Sequence, residues 1–137
     1  VTTLDNYNES IGMGMVGELK NEMKTEDFLT FIKQKMNVSV IKHSKIIKKT
    51  VKRIAVLGGS GSFAIQAAKS AKADVFVTSD LKYHDFFSAE DQILLADIGH
   101  YESEQFTKNF LADYLSKKFT NFAVVLATTN TNPVKYL

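Results

Sequence analysis

The chain has 137 residues, 45% of them apolar and 23% charged, the size and make-up of one globular domain rather than of a disordered or fibrous segment. It holds no cysteine, which excludes disulfide frameworks, thiolate zinc sites and thiol catalysis, and no run approaches the roughly 20 apolar residues of a membrane-spanning helix. The net charge is only +2, yet Lys42 to Arg53 carries six basic residues and no acidic one.

The opening run, Val1 to Ser10, shows neither a helical nor a strand period, and the chain starts on valine. It is expected to be a piece of a longer protein. Thr25 offers a capping hydroxyl, with Glu26 and Asp27 in the first turn behind it. Phe28, Leu29, Ile32 and Met36 recur at spacings of three or four, which predicts an amphipathic helix to about Lys35, ended by Asn37. Val38 to Ile41 is β-branched and reads as a short strand. The basic run that follows would attract nucleic acid or an anionic substrate. It contains no aromatic residue to stack on bases, so a solvated loop feeding a strand is the plainer expectation.

From Arg53 the chain alternates. Ile54 to Leu57 is a predicted strand, Gly58 to Ser62 a turn, Phe63 to Ala73 an alanine-rich helix, and Asp74 to Thr78 a second strand. Ser79 to Asp85 is a polar loop, with a short helix near Phe86 to Glu90. Ile93 to Ala96 is a third strand, Glu102 to Phe119 a long helix, Phe122 to Ala127 a fourth strand, and Thr128 to Leu137 a tail. Strands that alternate with helices, and that are continuously apolar, predict a layered α/β domain with a mostly parallel sheet over residues 1–137.

Three motifs carry chemistry. Gly59-Ser60-Gly61-Ser62-Phe63-Ala64 matches the G-x-G-x-x-A dinucleotide form, with Asp80 where a ribose-binding acid would lie. Too few strands follow for a dinucleotide fold, and a tight strand-to-helix turn beside an active site is the better use. Ser60 is no nucleophile elbow, because position 62 is serine where that motif needs glycine. The loop Ser79 to Asp85 places Asp80, Lys82, Tyr83 and His84 after a buried strand, where open α/β sheets bind ligands. The same composition also suits a solvated connector.

His100 and Glu104 are four apart, so on a helix they are neighbours, spaced to bind one metal through an imidazole nitrogen and a carboxylate oxygen. The apolar positions Phe106, Phe110, Leu111, Tyr114 and Leu115 define a buried face. His100 and Glu104 fall within that arc and Glu102 points away from it. A capping pair at a helix start fits the same spacing, and a metal wants at least two further donors. His84, Asp80 and Asp97 are the remaining candidates, with no spacing that forces them in.

Together, Ser79-Asp80-Leu81-Lys82-Tyr83-His84-Asp85 and Asp97-Ile98-Gly99-His100-Tyr101-Glu102-Ser103-Glu104 resemble the paired signature of the GTP cyclohydrolase I type 2 homologue family, the NIF-three-like proteins. Gly12 to Leu19 resembles the segment opening that family's second half, and Leu57 to Ser62 its glycine turn. The resemblance implies a layered α/β/α fold, of which this chain is the carboxyl-terminal half. It implies a cleft holding two divalent metals, zinc, iron or manganese being undistinguished, with His100 and Glu104 as ligands. The family's early histidine pair and aspartate have no counterpart here. Asp80, Lys82 and His84 match the other motif and are expected to line the cleft.

The family also implies a homo-oligomer, a ring of six; separately, no basic-then-apolar leader opens the sequence, so the cytoplasm is the expected compartment. The chemistry implied is metal-dependent hydrolysis of a small nucleotide-like molecule, with no residue assigned as catalytic. The alternatives are a metal-containing regulatory or scaffold protein that turns nothing over, and nucleotide or nucleic-acid binding through Gly58–Ser62 and Lys42–Arg53. A membrane partner is not expected, and nucleic acid less so than a small molecule.

Overall fold

The computed structural model describes residues 2–6 and 12–137. Six strands form one sheet in the order β1-β2-β4-β5-β6-β3. They are β1 (Thr2–Asn6), β2 (Gly12–Lys24), β3 (Lys42–His43), β4 (Thr50–Ser60), β5 (Val75–Ser79) and β6 (Leu94–Asp97). The central strands β4, β5 and β6 run parallel, and antiparallel partners flank them, β2 on β4 and β3 on β6.

The layering follows from alternation of side chains along each strand. Ala55, Leu57, Phe76 and Leu95 face one side, where they pack with Ile65 and Ala68 of helix α2 (Ile65–Ser70) and with Ala89 of a 3₁₀ segment (Tyr83–Ala89). Ile54, Val75, Val77, Leu94 and Ala96 face the other side and pack with Phe28 of helix α1 (Thr25–Lys35). Both faces of β5 and β6 are covered, so every residue in those two strands is buried. That double cover is why they read as unbroken apolar runs.

Four expectations change. The first is that Gly12–Lys24 is a strand of 13 residues, which its sequence conceals: only Val16 is fully buried, and glycine and charged residues fill much of the rest. Pairing with β1 and β4, not propensity, makes it a strand. Likewise Thr2–Asn6 pairs despite lacking a strand period, while the rest of the Val1–Ser10 run lies outside the described residues. Second, Val38–Ile41 is not a strand. Asn37 turns left-handed at φ 52° and the Val38 N–H donates to the Lys33 carbonyl, so pairing with β6 starts only at Lys42.

Third, the helix expected over 102–119 is two: α3 (His100–Glu104) and α4 (Thr107–Lys118), broken at Gln105 and Phe106. Fourth, Phe122–Ala127 forms no strand. It has no pairing partner among the described residues, and Phe122 and Val125 stand in solvent. A further detail concerns α1, where the Thr25 hydroxyl donates to the Lys48 carbonyl instead of capping its own helix.

Candidate functional site

The site forms at the carboxyl ends of the parallel strands, where the chain leaves β4, β5 and β6. Leaving β5, Asp80 takes a left-handed conformation at φ 57°, one that aspartate tolerates better than most residues. Its carboxylate receives the Nδ1 hydrogen of His100 at 2.6 Å. Leaving β6, Gly99 at φ 90° starts α3, and His100 is the first helical residue. One turn on, Glu104 Oε2 lies 3.3 Å from His100 Nε2. Both side chains are about half exposed, 52% and 51%, so they are reachable yet face each other.

The glycine turn supplies the opposite wall. Gly59 has φ 71°, and a Cβ there would stand 2.6 Å from Glu104 Oε1 and 3.6 Å from His100 Cε1. Its N–H donates to Ser103 Oγ at 2.9 Å, and the Ser103 hydroxyl donates to the His100 carbonyl at 2.8 Å. The Gly59 carbonyl accepts from Ser79 Oγ at 2.6 Å. Gly59 therefore lets backbone approach the imidazole and carboxylate closely, and locks the end of β4 to α3. No nucleotide loop is required to explain it.

Asp97 is buried and fully engaged. Its Oδ2 accepts from Leu81 N–H at 3.0 Å and from Lys42 Nζ at 2.7 Å, and its Oδ1 accepts from Gly99 N–H at 3.0 Å. It is a structural hub that fixes the exits of β5 and β6. His84 and Lys82 do not join the site. Both are exposed, Lys82 just before the 3₁₀ segment and His84 on it, and the His84 ring packs on Tyr83 and Phe87, 5.2 and 6.3 Å between centroids.

The orientation expected for α3 is reversed. Glu102 is the buried acid, 7% exposed, while His100 and Glu104 face the open side. The break at Gln105 and Phe106 explains it, since the apolar positions of α4 belong to a separate helix and set no phase for α3. Phe106, Phe110 and Tyr114 are themselves exposed.

A cavity of about 910 Å³ opens beside His100 and Glu104. Asp80 and Glu102 border it, and the irregular segment 127–136 forms its far wall. Asn132 Nδ2 donates to Glu102 Oε1 at 3.3 Å, and two consecutive asparagine turns, Asn130 Oδ1 to Asn132 N–H and Asn132 Oδ1 to Val134 N–H, shape that wall. The Asn-Thr-Asn-Pro run carried this signal in the sequence.

The hydrogen bond that His100 donates to Asp80 raises the His100 pKa; partial burial opposes it, and the Asp80 and Glu104 charges reinforce it. Among the described residues no group of three or more histidine, aspartate or glutamate side chains is arranged to hold one ion. The basic run is largely neutralised: Lys42 meets Asp97, Lys45 meets Asp91, Lys48 meets Asp74 and Arg53 meets Glu18. That pairing removes most of the charge a nucleic-acid surface would need. Among the described residues no helix is long and apolar enough to cross a membrane.

Residues 1–133 match the profile of Duf34/NIF3 (NGG1p interacting factor 3). The chain belongs to the Duf34/NIF3 family. Among curated relatives it is 39% identical to the GTP cyclohydrolase 1 type 2 homolog of Staphylococcus aureus strain MSSA476 over 132 residues, 92% of this chain and 36% of that protein. Among solved structures, a Bacillus cereus protein related to NIF3 superposes with TM-score 0.79 at 30% identity, covering 98% of this chain and 38% of that one. A Staphylococcus aureus protein superposes with TM-score 0.78 at 35% identity, covering 92% and 42%. The chain thus spans little more than a third of the length of these curated Duf34/NIF3 relatives.

Proposed function

We propose that this Duf34/NIF3 chain contributes His100 and Glu104 to a divalent-metal centre, and that the centre serves hydrolysis of a small nucleotide-like substrate. The observation behind this is the 3.3 Å separation of His100 Nε2 and Glu104 Oε2. Donors each about 2.0–2.2 Å from one ion and so spaced subtend an angle of about 100°, close to tetrahedral. Asp80 behind Nδ1 fits the same reading, because a carboxylate on the far nitrogen fixes the tautomer that leaves Nε2 free for metal. The donor set, imidazole nitrogen with carboxylate oxygen, suits zinc, iron or manganese.

Two donors do not complete a coordination shell, so water and side chains outside the described residues supply the rest. A second metal, and assembly into a homo-oligomer such as a ring of six, belong to the same proposal. When bound, the metal supplies Lewis acidity and an activated water. The chain's own groups then have defined tasks: Asp80 orients the imidazole, Gly59 keeps the wall close, and segment 127–136 encloses the substrate. The test is metal content after equilibration with zinc or manganese, wild type against His100→Ala. Equal metal in both proteins would remove the reading. Loss of metal without turnover of any nucleotide tried would favour the regulatory alternative.

A further inference from the structure

The cavity wall opposite His100 and Glu104 has a donor inventory that the metal reading does not use. Of the groups that border the cavity, Asp80 is held by His100, Asp97 is neutralised by Lys42, and Glu102 accepts from Asn132. Gln105 Nε2 is taken by the Met36 carbonyl at 2.7 Å. Lys108 is different. It borders the cavity from the start of α4, and among the described residues its ammonium makes one long hydrogen bond, 3.5 Å from Nζ to the Ala127 carbonyl, and meets no carboxylate. The hydroxyl-bearing residues Thr129, Thr131 and Tyr136 border the same space, and none of their hydroxyls has a hydrogen-bond partner among the described residues. Burial, and then the Glu102 and Asp97 carboxylates, push the Tyr136 phenol above its ordinary value, so at neutral pH it is a donor.

We infer that this wall is the binding site for the phosphate group of a phosphorylated ligand, with Lys108 as its cation and Thr129, Thr131 and Tyr136 as neutral donors. The inference rests on the hydrolase reading only in supposing that the ligand's other end reaches the metal. An ammonium with no carboxylate partner and three hydroxyl-bearing residues lining one cavity suit an oxyanion with several acceptor oxygens. A cavity of about 910 Å³ has room for a nucleoside monophosphate, within the usual range of small-molecule sites. Segment 127–136 then becomes part of the recognition surface, and the asparagine turns that rigidify it hold the threonines in place.

The experiment is equilibrium binding of AMP and GMP, each against its own nucleoside, once with manganese and once in EDTA. Each monophosphate is expected to bind at least about tenfold more tightly than its nucleoside under both conditions, the gain typical of one charge-assisted contact. Lys108→Gln is expected to remove about that factor for the monophosphates and leave the nucleosides unchanged, and Lys108→Arg to retain most of it. Tyr136→Phe and Thr131→Val are expected to lose less. Lys108 is exposed, so its variants fold as the wild type does, which thermal unfolding checks.

Equal binding of monophosphate and nucleoside by the wild type, or an unaltered preference in Lys108→Gln, overturns the inference. Manganese affinity is read in parallel. If His100→Ala keeps it, the metal reading fails, while a monophosphate preference in EDTA still upholds the phosphate site.

Discussion

Asp80 and Gly59 act on the His100–Glu104 pair from two sides. Asp80 contacts the ring nitrogen away from Glu104. It holds His100 Nδ1 at 2.6 Å, and removal of such a carboxylate from behind a metal-binding imidazole weakens metal affinity by roughly 10–100-fold. Asp80→Ala is therefore expected to lower manganese or zinc affinity by that order with the fold intact, measured by competition with a chromogenic chelator. Unchanged affinity would show that the bond does not orient the ring. Gly59→Ala places a methyl group 2.6 Å from Glu104 Oε1 at a backbone φ of 71°, where an L side chain costs about 1–2 kcal/mol before the clash is counted. Denaturant unfolding should show a loss of about that size or more, accompanied by weaker metal binding as Glu104 is displaced. Nothing in the residue letters distinguished Glu102 from Glu104 correctly, because helix phase was carried over from α4 across a break that composition did not mark.

The parallel strands are the part of the fold most legible in the sequence. Although the turn expected over Gly58–Ser62 is mostly strand, because β4 runs on to Ser60 before the 3₁₀ turn at Ser62, the apolar runs of β4, β5 and β6 and the loop after β5 emerge from alternation and turn chemistry alone. The edges do not. β2 is a strand because two neighbours pair with it, and Phe122–Ala127 is not one because no neighbour does. Such long-range facts leave no local trace.

The joint between β4 and β5 gives a pH-dependent prediction. The Asp74 carboxylate accepts from the Lys52 and Arg53 N–H groups, both at 2.8 Å, and from Lys48 Nζ at 2.5 Å. Burial works to raise its pKa, but the Lys48 hydrogen bond and the two backbone donors outweigh it, so the folded value lies below the ordinary 3.8. A depressed carboxyl contributes stability that is fully present above the unfolded value and is lost as pH falls through the folded one. Asp74→Ala should therefore cost about 1–3 kcal/mol at pH 7. The gap between the two proteins should hold down to about pH 5 and narrow below pH 4. A gap that grows in acid would contradict the assignment.

Across the whole molecule, stability and exposure divide between the sheet and the segment from Thr107 onward. Two clusters, one on each sheet face, hold nearly all the buried apolar side chains. By contrast α4 buries no residue at all, and Phe110 remains 69% exposed. The apolar pattern of α4 therefore predicted a buried face that this chain by itself does not cover, and the folding free energy comes from elsewhere. Phe28, 1% exposed beneath α1, is the contrasting case. Phe28→Ala should cost about 3–5 kcal/mol, the transfer and cavity cost of a core phenylalanine. Phe110→Ser should change unfolding free energy by less than about 0.5 kcal/mol. Chemical denaturation of the two variants checks both. A large loss in Phe110→Ser at low protein concentration would mean that α4 is packed against this chain's own core after all. A loss appearing only as concentration rises would instead place α4 in contact with another copy.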